Sequence, residues 1–328
     1  MHNFLAFIEQ YGTYFSFISA ALCSFFISLP KDLNPLSAVE LMFRQIARKV
    51  NIDDRSNGYK RLASILSISL IYFPSILIIS QLYNVVFQPV ILDILLLFVL
   101  LSWHDKKLTY LQISDALKTK NLALAKFKLA SLARRETKPL SLMGINKASI
   151  ESMVLQLTAS WFAVIFWYLL TGVYGAVLYR TIQICSQQWS CKQDNFQTIA
   201  SIPSFAYSTL LFPVHLIVSF TFALYDKPLE NLPKKFKQSI HWHHFSSGLM
   251  LASFALSMQI ELGGVRLYQK NKVTYSTLGC GGAPGINKIE QSLQRLSLSA
   301  WFWLTCITGY TFFPLLLEFI TLNNHSSL

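Results

Sequence analysis

The chain has 328 residues, of which 53% are hydrophobic and only 13% charged, with a mean hydropathy of +0.41 and a formal net charge of +12. Soluble domains carry about 25% charged residues, so the composition excludes an ordinary soluble protein. The positive balance does not point to nucleic acid, because such a face must be water-exposed and free of lipid-facing segments. It fits membrane lipid head groups and an anionic substrate better.

The distribution of charge is more informative than its sum. Twenty-six of the 28 Lys and Arg residues fall in three segments, with seven in 31–62, ten in 104–152 and nine in 226–297. Only Arg180 and Lys192 fall elsewhere. Segregation of this kind follows the positive-inside rule for a polytopic membrane protein, in which cationic loops stay in the cytoplasm.

In chain order, six apolar segments are candidates against a hydrocarbon core that takes ~20 residues. They are Tyr14–Leu29, Leu62–Val86 with Pro74 inside it, the short Val90–Trp103, Leu157–Tyr179, Ile199–Leu224 and Ala300–Leu322. The run Leu249–Ile260 is too short to span and reads as an interfacial or buried helix. The expected fold is therefore an all-α membrane helical bundle, one domain over 1–328, with amphipathic cytoplasmic helices. Six spans with the basic segments 31–62, 104–152 and 226–297 inside put both termini outside. No signal peptide is visible, since the N-terminus has no cationic region or small-residue cleavage site. The expected location is the bacterial inner membrane.

The basic loops carry the candidate chemistry. Leucines and alanines recur at helical spacing over Asp115–Ala133, predicting an amphipathic helix with a lysine face. It runs into Arg134-Arg135-Glu136-Thr137, where paired arginines beside a hydroxyl either clamp phosphate or complement a helix dipole. Glu151-Ser152 stands where the next helix enters the bilayer, and an acid there needs a partner or a function. Further on, Leu262-Gly263-Gly264-Val265-Arg266-Leu267-Tyr268 precedes Leu278-Gly279-Cys280-Gly281-Gly282. Glycine at this density either admits an anionic ligand close to backbone N–H groups or makes a flexible connector. No Walker A sequence is present. His241, His243 and His244 lack an acidic or cysteine partner nearby, so no metal site is expected. Cys185 and Cys191 share the short segment 184–198, as a disulfide or as two free thiols.

The order of these pieces resembles the CbiB/CobD family of membrane proteins, the adenosylcobinamide-phosphate synthases. The residues that carry the resemblance are Leu33-Asn34-Pro35, Arg135-Glu136-Thr137, Glu151-Ser152, Phe166-Trp167, Gly172 to Gly175-Ala176, Tyr179-Arg180, Leu262-Gly263-Gly264, Tyr268 and Leu278-Gly279. The chain departs from the family pattern where Leu155-Gln156, Ala159 and Tyr207-Ser208 replace acids or Asn. The resemblance implies amide formation between adenosylcobyric acid, a corrinoid, and an aminoalcohol phosphate, with ATP and magnesium used. It implies Glu151 as the catalytic group and Arg134, Arg135, Thr137, Ser152, Gly263, Gly264 and Tyr268 as substrate-binding residues. The missing acids leave a second class open, a non-catalytic membrane scaffold on the same fold, similar to the AmpE relatives.

Overall fold

The computed structural model describes the backbone of residues 2–325 except 31, 53–54, 134, 190–195, 226–227, 243 and 269–270, and side chains over the same residues except 2–11, 228–232, 268, 271 and 314–325. Twelve α-helices and one β-hairpin are present among the described residues. The first half comprises α1 (His2–Phe26), α2 (Pro35–Val50), α3 (Asn57–Val85), α4 (Pro89–Leu100), α5 (Trp103–Lys118) and α6 (Leu122–Ala130). After α7 (Leu142–Leu157), a π-helical turn over Thr158–Phe162 leads into α8 (Ala163–Gln188) and α9 (Gln197–Leu224). The chain ends with α10 (Pro228–Ile240), α11 (Phe245–Ser257), strands β1 (Glu261–Tyr268) and β2 (Asn271–Gly279), and α12 (Asn287–His325).

Local chemistry fixes many of the helix starts. The side chains of Asn34, Ser56, Asn121 and Ser141 accept backbone N–H bonds from the first turns of α2, α3, α6 and α7. Pro35 and Pro89 sit at first-turn positions, where a missing N–H costs nothing. The single amphipathic helix expected over Asp115–Ala133 is instead the end of α5 and all of α6. The break falls at Lys120, whose positive φ of 59° turns the chain. The run Leu249–Ile260 forms most of α11 and is buried, as expected of a segment too short to span.

Three helices are long and apolar enough to cross a bilayer among the described residues, over Asn57–Val85, Leu142–Gln188 and Gln197–Leu224. The outer face of α3 is an exposed stripe of Leu62, Leu66, Leu70, Phe73 and Leu77. Such a face is disfavoured in water but not in lipid. The expected count of six is thus not confirmed. Tyr14–Leu29 falls on a shorter apolar stretch, Gly12–Phe26, and Val90–Trp103 supplies only the 12-residue α4.

The second of these helices does not run straight. Gly172 has φ 69° and ψ −164°, far from helical values and accessible only to glycine without strain. The Tyr179 hydroxyl donates to the Ala159 carbonyl at 2.6 Å. Twenty residues of straight helix would place those two about 30 Å apart. The chain therefore folds back at Gly172. The expected fourth span, Leu157–Tyr179, is accordingly not one crossing.

The return arm ends against α2. The Trp189 indole donates to the Phe43 carbonyl at 2.9 Å, Arg44 Nε donates to Gln188 Oε1 at 2.7 Å, and Thr198 donates to Asn57 at 3.3 Å. Gln188, Trp189 and Thr198 thus pack on residues of the first basic segment, whereas the expected topology put segment 184–198 on the opposite side. Cys185 is a buried free thiol there, while Cys191 lies outside the described residues. At the other end of the bundle, Lys118 and Ser114 of α5 donate to Glu290 of α12. The bond from Lys118 first, then that from Ser114, holds the Glu290 carboxyl below its usual range.

A chain carrying Arg44→Cys and Gln188→Cys should cross-link in native membranes, and a membrane-impermeant thiol reagent should reach both cysteines from one side. Labelling from opposite sides would restore the straight crossing.

Candidate functional site

The glycine-rich region is not a loose connector. β1 pairs antiparallel with β2, Glu261 opposite Gly279 and Tyr268 opposite Asn271, with an irregularity between Leu262 and Gly264. Gly263 makes that irregularity possible. Its φ is +83°, and a Cβ there would lie 2.3 Å from the Ser276 carbonyl oxygen.

The hairpin packs against the start of α7. Lys147 Nζ meets Glu261 Oε1 at 2.7 Å, and Asn146 Nδ2 donates to the Pro284 carbonyl at 3.1 Å. The loop after α6 joins from another direction, with the Glu136 N–H donating to the Leu267 carbonyl at 3.1 Å. Residues far apart in sequence are thereby brought onto one carboxylate.

That carboxylate is Glu151, only 3% exposed. Arg135 Nη2 donates to its Oε2 at 2.7 Å, Arg266 Nη2 to the same oxygen at 3.0 Å, and the Gly263 N–H to Oε1 at 2.6 Å. A buried carboxylate is tolerable only when neutralised and fully hydrogen-bonded, and these three donors supply both. Arg266 is fixed from its other side by aromatic rings. Its guanidinium lies 4.2 Å from the Tyr275 ring centroid and 4.8 Å from that of Trp242. Cation–π attraction of this kind is strongest where water is excluded. Two guanidinium groups thus converge on one carboxylate, and their charge-assisted donors suit an anionic group.

Of the expected residues, Arg135, Glu151 and Gly263 converge here. Ser152 lies beside them, donating to the Ser149 carbonyl at 3.1 Å and accepting from Tyr110 at 3.3 Å. Burial pushes the Tyr110 phenol above its ordinary value, so it remains an O–H donor. Thr137 is buried, and its carbonyl accepts the Leu140 N–H; no bond from its hydroxyl reaches Glu151. Gly264 lies on β1 with φ +100°. Tyr268 ends β1, with its side chain outside the described residues, and Arg134 also lies outside them. The sequence reading did not single out Arg266, Trp242 or Tyr275. A charge standing alone between apolar residues is the signal that marks Arg266. Among the described residues no group of three His, Cys, Asp or Glu side chains is placed to hold a metal.

Gly263→Ala should cost about 1–3 kcal/mol through backbone strain and should loosen the Gly263 contact to Glu151. Gly282→Ala, whose Cβ meets nothing within 4 Å, should stay within about 0.5 kcal/mol of wild type. Thermal unfolding in detergent checks both.

The model of the CobD/Cbib protein family matches residues 17–296 of the chain. A cobalamin biosynthesis protein CobD of Stutzerimonas stutzeri is 26% identical over 212 residues, covering 65% of this chain and 70% of the relative. One of Chromobacterium violaceum is 24% identical over 243 residues, covering 74% and 78%. Another, of Leptospira interrogans, is 27% identical over 261 residues, covering 73% and 78%. No solved structure matches. The matched span takes in Arg135, Glu151, Gly263 and Arg266 together, and the chain belongs to the CobD/Cbib protein family.

Proposed function

We propose that this chain is a cobalamin biosynthesis enzyme that joins adenosylcobyric acid to an aminoalcohol phosphate, giving adenosylcobinamide phosphate. The observation that carries the reading is the pair of buried guanidinium groups converging on Glu151. The named relatives, all cobalamin biosynthesis proteins, favour it over a non-catalytic scaffold.

Amide formation at neutral pH needs the carboxylate activated, and ATP, when bound, supplies the phosphoryl group that makes it an acyl donor. The chain's own residues bind and orient. Arg135 and Arg266 hold phosphate oxygens by charge-assisted bonds, and the Trp242 and Tyr275 rings keep Arg266 from turning away. The amine of the phosphate-bearing substrate is thereby delivered at a fixed distance from its anchored end. Glu151 engages three donors, an arrangement better suited to aiming the two arginines than to taking a proton. For the same reason Glu151 is not a free ligand for magnesium, and no step is assigned to that ion on this side chain. In this reading Thr137, Ser152, Gly264, Tyr268 and Arg134 also take part in substrate binding, Arg134 and the Tyr268 side chain lying outside the described residues. The protein resides in the bacterial inner membrane with its basic segments in the cytoplasm, where these substrates are found.

Arg135→Gln leaves the Arg266–Glu151 pair intact, so folding should hold. The KM for the aminoalcohol phosphate should rise about tenfold or more, the equivalent of one lost charged hydrogen bond at about 1.5–3 kcal/mol. Conversion of adenosylcobyric acid in isolated membranes measures this, and a wild-type chain that expresses well yet converts nothing would refute the reading.

Glu151→Gln should behave differently. It strands two buried cations, so a stability loss of about 3–5 kcal/mol should accompany loss of conversion. Comparing its thermal unfolding with that of Arg135→Gln tests whether the carboxylate holds the site together.

A further inference from the structure

A second cation is buried elsewhere in the bundle. Arg180, on the arm of α8 that returns from Gly172, is only 8% exposed. Among the described residues no carboxylate lies within ion-pair distance of it. Glu40 acts on it through space but makes its own ion pair with Arg44 at 3.9 Å. Two bonds locate the guanidinium. Nη1 donates to Gln183 Oε1 at 2.6 Å, and Nη2 donates to Ser102 Oγ at 2.8 Å.

Around those bonds, donors outnumber acceptors. Arg180 Nε is buried without a partner, as are Gln183 Nε2, on the very amide that Arg180 grips, and Trp103 Nε1, on the residue after Ser102. Gln183 is fully buried and Trp103 is 1% exposed. Buried N–H groups are nearly always paired, so two orphans on one bonded Arg–Gln pair, with a third on the first residue of α5, point to an acceptor with several oxygens. Ser102 is also the N-cap residue of α5, and its side chain makes no capping bond. The positive end of the α5 dipole therefore falls on the same spot. Ser102, Trp103, His104 and Asn34 line a small cleft at the start of α5; Asp105, on its rim, is exposed to solvent.

We propose that Arg180, Gln183, Trp103 and the N-terminus of α5 form a binding site for a phosphate group, separate from the Glu151 site. Phosphate offers several oxygens to donors arriving from different directions, whereas a carboxylate has two in one plane. The group has two possible sources, a phospholipid head group or a soluble phosphate, and the site's chemistry is the same for both.

The test is thermal unfolding of the purified full chain at constant ionic strength, in a background of Arg135→Gln so that the Glu151 site is neutral. One arm adds inorganic phosphate in place of chloride to protein in phosphate-free detergent. The other adds phosphatidylglycerol to the micelles, with a neutral glycolipid as control. Stabilisation in the first arm identifies soluble phosphate, and stabilisation in the second alone identifies a lipid head group. In either case Arg180→Gln should weaken the response about tenfold or more in phosphate or lipid concentration. Trp103→Phe keeps the ring and the cation and removes a single donor, so it serves if Arg180→Gln does not fold; its response should weaken about threefold or more. No stabilisation in either arm, or stabilisation undiminished in the variants, would overturn the proposal.

Discussion

The arrangement around Glu151 depends on one rule, that a buried carboxylate must be neutralised and hydrogen-bonded at once. Two separate pieces of chain meet that demand, the loop after α6 through Arg135, and the strand β1 through the Arg266 side chain and the Gly263 backbone. Each contact recruits its own support. Arg266 needs the Trp242 and Tyr275 rings, Gly263 needs a positive φ, and the Arg135 loop needs the Leu267 carbonyl. The hairpin, α7 and the basic loop are thus fixed relative to one another by a single charged group.

The second constraint is the reversal at Gly172. By turning the helix back, it carries Tyr179 to Ala159 and Arg180 to Ser102, and sets Trp189 on Phe43. A straight helix would have spread these residues along some tens of ångströms of bilayer. The fold-back gathers polar groups into a protein interior instead of exposing them to lipid, which is where irregular backbone at membrane depth is tolerated. It also gives a short route between the two cationic sites. Ser102 bonds to Arg180, and one turn on in α5 Lys106 bonds to Gln156, which follows Glu151 on α7.

The departures from the family pattern read differently once the packing is seen. Leu155 and Ala159 replace expected acids, and both sit where the bundle is apolar: Ala159 is 1% exposed and Leu155 packs against the core. An ionised side chain at either place would need its own partner. What the chain keeps is the one acid that has two arginines to meet it.

Much was legible in the sequence by itself. Charge segregation and long apolar runs report free energies of transfer residue by residue, so the membrane class, the helical character and the positions of α3 and α9 follow from local composition. Arg135 and Glu151 were legible for a related reason, since a charge at a helix end beside a membrane is costly wherever the fold places it. The partnerships were not legible. Arg266 lies 115 residues from Glu151 in sequence, and Ser102 lies 78 from Arg180, and nothing local couples them. Nor does composition distinguish a 47-residue helical run that crosses once from one that turns back, because the difference is the φ of a single glycine. The strands β1 and β2 were hidden likewise, their glycines reading as a connector until pairing across the hairpin gave each positive φ a purpose. Sequence determined which segments are apolar enough to enter lipid and which charges are expensive. Tertiary structure alone decided which charges meet, because that depends on contacts whose ends the chain brings together only after it folds.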